Sequence, residues 1–357
     1  MKNTATLLIT CPDTKGIVAA IAEFLYQHNA NILHADQHQD AENNLFLMRV
    51  EWDVAGFNLD EASFDAAFTP IATKFNMVWQ LKLSQHKTRV AIMVSQYDHC
   101  LADLLHRFKS GELACEIPLV ISNHCNTEAL TNFYGIDFHH IEVNKDNKVQ
   151  AEAAQFKLFD EYKIDLIVLA RYMQILSPDF VARYPQRIIN IHHSFLPAFV
   201  GAKPYHRAFE RGVKLIGATS HYVTEELDEG PIIEQDIDRI SHRDQVEDLI
   251  QKGRDLERSV LAKAVRWHIE NRILLYANKT VISYSSAGAS IAGGAGSSTG
   301  AISGSDSSAN TAVTFKAVIA SNIANKLFIS SPKIILNIYI KNNTETLIHT
   351  HYSACAI

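Results

Sequence analysis

Apolar positions across residues 4–84 follow two spacings in turn. Thr4–Thr10 (TATLLIT), Asn31–Asp40 (NILHADQHQD), Leu45–Asp53 (LFLMRVEWD) and Asn76–Ser84 (NMVWQLKLS) read as extended runs. Between them, Gly16–His28 and Leu59–Phe75 carry apolar residues at helical intervals, with Ile17, Ile21, Phe24 and Leu25 forming one stripe. Asn43-Asn44 separates two of the extended runs as a hairpin turn would. The predicted order is βαββαβ, a small ferredoxin-like domain over residues 4–84.

After Gln85-His86-Lys87 the runs become continuously apolar: TRVAIMVS, IPLVISN, IDLIVLA and RIINIH, separated by helical segments such as LADLLHRF and AEAAQFKLFDEY. Strands of that kind belong to a parallel sheet covered on both faces, so residues 87–282 predict a mostly parallel, doubly wound α/β domain. A long helix over about Asp244–Glu270 packs back at its end. From Ser283 to Ala312 the composition changes, with 23 of 30 residues Ser, Gly or Ala and Asp306 the only charge, which predicts a disordered linker. Residues 313–357 form a tail with apolar runs and no chemical motif.

Composition removes several classes of function. With 33 basic against 39 acidic residues, a net charge of -6 and no dense Lys/Arg run, the chain lacks the footprint of a nucleic-acid binder. The apolar run Ala5–Cys11 is stopped by Pro12, Asp13 and Lys15, so it predicts neither a membrane span nor a signal peptide, and a cytoplasmic protein is expected. The five cysteines (Cys11, Cys100, Cys115, Cys125 and Cys355) are odd in number and lack CxxC spacing. They are expected to be reduced structural thiols, with no disulfide and no metal site.

The densest polar grouping is Asn190-Ile191-His192-His193-Ser194-Phe195-Leu196-Pro197, at the end of a buried strand. Ligand sites in open sheets lie beyond the carboxyl ends of the strands. Residues i and i+2 of a strand share a face, so Asn190 presents an amide donor beside the His192 imidazole. That pairing suits a carbonyl oxygen that gains negative charge while a proton is moved. A later strand over Gly217–Thr224 carries His221 and leads into an acidic loop, from which a carboxylate could orient His192. The same residues would equally serve to tie down a turn beside a solvated loop. The chain has no GxSxG, HExxH, P-loop or GxGxxG motif.

Four segments in order, ARYMQILSPDF (Ala170–Phe180), NIHHSFLPAF (Asn190–Phe199), GAKPYH (Gly201–His206) and GATSHYVTEELDEGPIIE (Gly217–Glu234), resemble the formyltransferase fold of enzymes that use 10-formyltetrahydrofolate. The N-terminal module resembles an ACT domain, and residues 4–282 together resemble the formyltetrahydrofolate deformylases. The resemblance implies hydrolysis of 10-formyltetrahydrofolate to formate and tetrahydrofolate, in one-carbon and purine metabolism. It carries over Asn190, His192 and Asp228 as the catalytic residues, Met173, Gln174, Ile175 and Leu176 as the pterin-binding segment acting through main-chain groups, and His221 as a residue placing the formyl group or the water. It implies no cofactor, since the folate is the substrate, and no metal.

Related transferases hold an acceptor phosphate on a Gly-rich loop after the first strand of this domain. Here that loop reads Ser95-Gln96-Tyr97-Asp98-His99-Cys100, without glycine and with an acidic side chain, which favours water as acceptor. An amine formyltransferase and a catalytically silent amino-acid sensor are the competing readings. In ACT domains the turn equivalent to Cys11–Ile17 helps bind a small amino acid between paired domains. Asp13, Gly16 and Ile17 are therefore the effector candidates, glycine and methionine the candidate effectors, and a homo-oligomer is expected. Asp13 and Thr14 would equally serve as helix caps.

Overall fold

Alternation along β1 (Thr4–Pro12) puts Ala5, Leu7, Ile9 and Cys11 into the interior. α1 (Ile17–Gln27) lays the expected stripe of Ile17, Ile21, Phe24 and Leu25 into the same core. β2 (Asn31–Asp40), β3 (Leu45–Asp53), α2 (Glu61–Lys74) and β4 (Val78–Leu83) complete an antiparallel sheet of order β2-β3-β1-β4. The hairpin between β2 and β3 turns through Asn44, at φ 50°. The two helices start differently. Asp60 caps α2 by accepting the Ser63 N–H at 2.8 Å, whereas α1 follows Gly16 at φ 95° without any side-chain cap. Asp13 and Thr14 are therefore not caps, and the Asp13 carboxylate accepts from Gln39 Nε2 instead.

This computed structural model describes residues 3–197 and 204–284, all within the first of two units into which the chain divides, Met1–Ser290. Apart from Ser283 and Tyr284, the expected linker and tail lie outside the described residues.

The second part runs β5 (Arg89–Val94), α3 (His99–Ser110), β6 (Glu116–Ser122), α4 (Glu128–Phe133), β7 (Asp137–His140), α5 (Lys148–Glu161), β8 (Leu166–Ala170), α6 (Pro178–Arg183) and β9 (Ile188–His192). It continues through α7 (Pro204–Arg211), β10 (Leu215–Tyr222), β11 (Ile232–Arg239), α8 (Val246–Ile269), β12 (Ile273–Tyr276) and β13 (Lys279–Ile282). One seven-stranded sheet has the order β11-β10-β9-β8-β5-β6-β7. Its strands from β9 to β7 are parallel, while β10 is antiparallel to β9 and β11 to β10. Both faces are covered: Val90, Ile92 and Val94 of β5 enter one core, and Ala91 and Met93 enter the other. That is why β5 reads as an unbroken apolar run. The α/β architecture expected from the sequence is present in both parts.

A seam joins the two sheets. The Arg49 guanidinium on β3, 6% exposed, donates from Nε to the Asn271 carbonyl at 2.8 Å and from Nη2 to the Glu270 carbonyl at 3.3 Å, at the C-terminal end of α8. Ser283, which directly follows β13, is buried, and its N–H donates to the Arg272 carbonyl at 2.9 Å.

Candidate active site

The antiparallel pairing of β9 with β10 assembles the centre of the site. Asn190 lies opposite His221, and His192 opposite Thr219, so the four side chains share one face. Asn190 Nδ2 is 3.2 Å from His221 Nε2, and His221 Nδ1 is 2.9 Å from the Tyr222 carbonyl oxygen. A carbonyl only accepts, so Nδ1 carries the proton and the neutral ring accepts from the Asn190 amide at Nε2. Burial disfavours a charge on His221 and lowers its pKa, against the pull of the Tyr222 carbonyl. With both nitrogens committed, His221 orients Asn190 and has no nitrogen left for a formyl group or water. This revises the role expected for it.

Asp228 is brought in by the loop between β10 and β11. Its Oδ2 lies 3.3 Å from His192 Nδ1 and its Oδ1 3.7 Å from His221 Nε2. The hydrogen bond from His192 holds its carboxyl below the usual range, more strongly than partial burial raises it. Asp228 sits at φ 59°, a left-handed conformation that Asp and Asn tolerate better than most residues. The loop is pinned two residues later, where a Cβ on Gly230 would stand 1.7 Å from the Tyr222 carbonyl oxygen. Only glycine permits that approach, and the carbonyl it covers is the one that fixes the His221 tautomer. His192 is 5% exposed, and its Nε2 has no hydrogen-bond partner among the described residues.

The segment Met173–Leu176 follows β8. Met173 and Ile175 are exposed, while Leu176 packs partly against the core. The Met173 N–H donates to Ser95 Oγ at 3.0 Å and the Gln174 N–H to the Tyr172 carbonyl at 2.7 Å, so these two main-chain donors are internally committed. Among the expected effector residues, Ile17 is 2% exposed and belongs to the core, which leaves its side chain unavailable to a ligand. A cavity of about 330 Å³ in the same part lies at the opposite end of β1, lined by Thr4, Ala5, Trp52, Phe57, Phe64 and Leu81 among others, and includes none of the three effector candidates. Of the cysteines, Cys11, Cys100 and Cys115 are buried and Cys125 is exposed, so the last is not a core thiol as expected; Cys355 lies outside the described residues.

A second polar cluster adjoins the first, and sequence reasoning missed it. Glu257 on α8 is 1% exposed, accepts from Tyr205 Oη at 2.7 Å, and lies 2.7 Å from His99 Nε2 and 3.4 Å from Arg171 Nε. Burial opposes its ionisation, but the His99 hydrogen bond and the Arg171 charge outweigh that and lower its pKa. His99, Cys100 and Glu257 bring one ligand atom each within 4.8 Å of one another. Tyr205 and His99 already engage the Glu257 carboxylate at hydrogen-bond distance and the fixed Arg171 cation lies beside it, so the chemistry there is that of an ion cluster.

The formyl transferase family model matches residues 88–265, and the ACT domain model residues 5–63. A protein from Synechocystis sp. called formyltetrahydrofolate deformylase is 57% identical over 283 residues, covering 79% of this chain and 99% of its own length. The chain belongs to the formyltetrahydrofolate deformylase family. A deformylase from Bacillus subtilis is 54% identical, over 77% of this chain and 92% of that protein. The crystal structure of a formyltetrahydrofolate deformylase from Pseudomonas syringae pv. tomato superposes with a TM-score of 0.77 at 50% identity, covering 79% of this chain and 95% of that one. The deformylase family thus accounts for both sheets and for their order along the chain. Among the described residues no helix is long and apolar enough to cross a membrane.

Proposed function

We propose that the chain hydrolyses 10-formyltetrahydrofolate to formate and tetrahydrofolate, with Asn190, His192 and Asp228 as its catalytic residues. The observation that carries this is the Asp228 carboxylate on His192 Nδ1, which leaves Nε2 as the nitrogen able to accept a proton. Water gives that proton to His192 as its oxygen attacks the formyl carbon. The second amide hydrogen of Asn190, the first being held by His221, donates to the formyl oxygen as it becomes negative. Asp228 stabilises the imidazolium. The bond from carbon to N10 then breaks, His192 returns the proton to N10, and formic acid leaves, losing its remaining acidic proton to solvent to give formate. No cofactor or metal enters these steps.

Met173 and Ile175 would lie against the pterin, with the main-chain groups of Ile175 and Leu176 reading its edge. Residues 4–84 are assigned as a regulatory domain, 87–282 as the catalytic domain, 283–312 as a linker and 313–357 as a tail. A small amino acid, glycine or methionine, is the proposed effector, held near Asp13 and Gly16 between two copies of the chain. A homo-oligomeric, cytoplasmic enzyme of one-carbon and purine metabolism fits this reading. The experiment is to measure formate release from 10-formyltetrahydrofolate by the purified chain with no acceptor present. Formate in step with tetrahydrofolate is expected; absence of both removes the proposal.

A further inference from the structure

Arg171 is placed to control what reaches the formyl group. It is the residue after β8. Leu169 pairs with Asn190 and Ala170 with Val94, so Arg171 stands level with His192 on one side and with Ser95 on the other. It is 8% exposed, at φ 63°, a left-handed conformation that is strained for a long side chain. Its guanidinium lies 5.5 Å from the centre of the Tyr97 ring and 3.4 Å from Glu257, while Nε and Nη1 are buried without a hydrogen-bond partner among the described residues. Arg254 lies by the same ring at 5.7 Å. Tyr205, which donates to Glu257, is set by Gly253, where a Cβ would stand 2.1 Å from the tyrosine oxygen. His193 joins the two clusters, with its ring 5.3 Å from His192 and 6.4 Å from Tyr205.

Burying an ion pair is a poor way to gain stability, because apolar side chains of similar volume serve as well or better. This one also carries a left-handed backbone and unpaired N–H groups, and it lies over the carboxyl ends of β5, β8 and β9, where open sheets bind their ligands. We propose that the Glu257 cluster, with the Arg171 guanidinium over the Tyr97 ring, closes the side of the site from which an amine acceptor would approach, so that only water reaches the formyl carbon. The inference rests on the deformylase reading. It makes Arg171 and Tyr97 specificity-determining residues that exclude a second nucleophile, and gives Glu257, His99 and Tyr205 the task of holding them.

Nucleophile partitioning tests this on the full chain. 10-Formyltetrahydrofolate is supplied with glycinamide, whose amine would attack the formyl carbon, break the bond to N10 and leave N-formylglycinamide, with the amine proton passing to N10. The wild type is expected to give formate, with formylglycinamide only at the rate seen without enzyme. Arg171→Gly suits the local φ, and Tyr97→Ala removes a ring that is 43% exposed, so a folded protein is expected from at least the second. In each folded variant the ratio of formylglycinamide to formate should rise at least about tenfold. A wild type that already formylates glycinamide, or folded variants that release formate with the ratio unchanged, would overturn the proposal. A wild type that releases no formate removes the deformylase reading, and this inference falls with it.

Discussion

Replacing Asp228 by Asn probes the electrostatics of the site while keeping its shape. Asn is as tolerant as Asp of the φ of 59° found there, so the loop should hold its path. The side chains of His192 and Asp228 are only 6% and 12% exposed and their atoms 3.3 Å apart. At an effective dielectric constant of about 20, a full charge pair at that distance is worth about 5 kcal/mol. Complete loss from the transition state would slow the reaction by more than three orders of magnitude, and the amide dipole of Asn recovers part of it. We expect kcat to fall by about two to three orders of magnitude, with KM changed far less. The assay is steady-state formate release, beside a thermal melt to establish folding. The melt has a signature of its own. The Asp228 carboxyl is held low in the native state, so its contribution to stability is present above the unfolded value of about 3.9 and is lost as pH falls through the folded value. The Tm gap between wild type and variant should therefore be steady near neutrality and shrink only below about pH 4. A folded variant turning over within about threefold of wild type would refute the role given to Asp228.

Gly230→Ala should displace the same loop from the Tyr222 carbonyl and lower kcat at least about tenfold, and unchanged kinetics in that variant would show that the close approach is dispensable. Burial pushes His268 down to about 4, and burial together with the Arg171 charge does the same for His193. The unfolded chain thus binds more protons between about pH 4 and 6.5, and Tm should fall as pH is lowered through that window; a flat scan by differential scanning fluorimetry would contradict it. Glycine or methionine, titrated against formate release by the full chain, should change the rate, through a coupling of about 1 to 3 kcal/mol, whereas a response to no amino acid would leave the first domain without the proposed effector.

What the sequence made legible follows from how local each signal is. Ile17, Ile21, Phe24 and Leu25 could be read as a buried stripe because helical spacing needs no knowledge of the rest of the fold. Asn190 and His192 could be paired because strand alternation is equally local. β7, with Asp137, His139 and His140 in four residues, and β11, an edge strand with half-buried acidic positions, lack the apolar run by which their neighbours declare themselves. The Glu257 cluster was hidden for a different reason. His99, Arg171, Tyr205 and Glu257 come from α3, the end of β8, α7 and α8, and only the wound sheet brings them together. Glu257 reads in sequence as one more charge on an amphipathic helix. The pairing of β9 with an antiparallel β10, which turns His221 from a substrate contact into a support for Asn190, is likewise a tertiary fact.

The seam at Arg49 bears on how the protein can be dissected. A chain begun at Lys87 would retain every proposed catalytic residue and still lose the guanidinium that satisfies the Glu270 and Asn271 carbonyls. Each hydrogen bond lost from that charged donor is worth about 1.5 to 3 kcal/mol, against a total stability of about 5 to 15 kcal/mol for an ordinary domain. The helix whose end would be left bare is the one that carries Glu257. An inactive fragment would then report a frayed helix, and its silence could be mistaken for loss of an allosteric signal. Regulation in this protein is better separated from architecture by single substitutions on the β1–α1 turn than by removing the first domain.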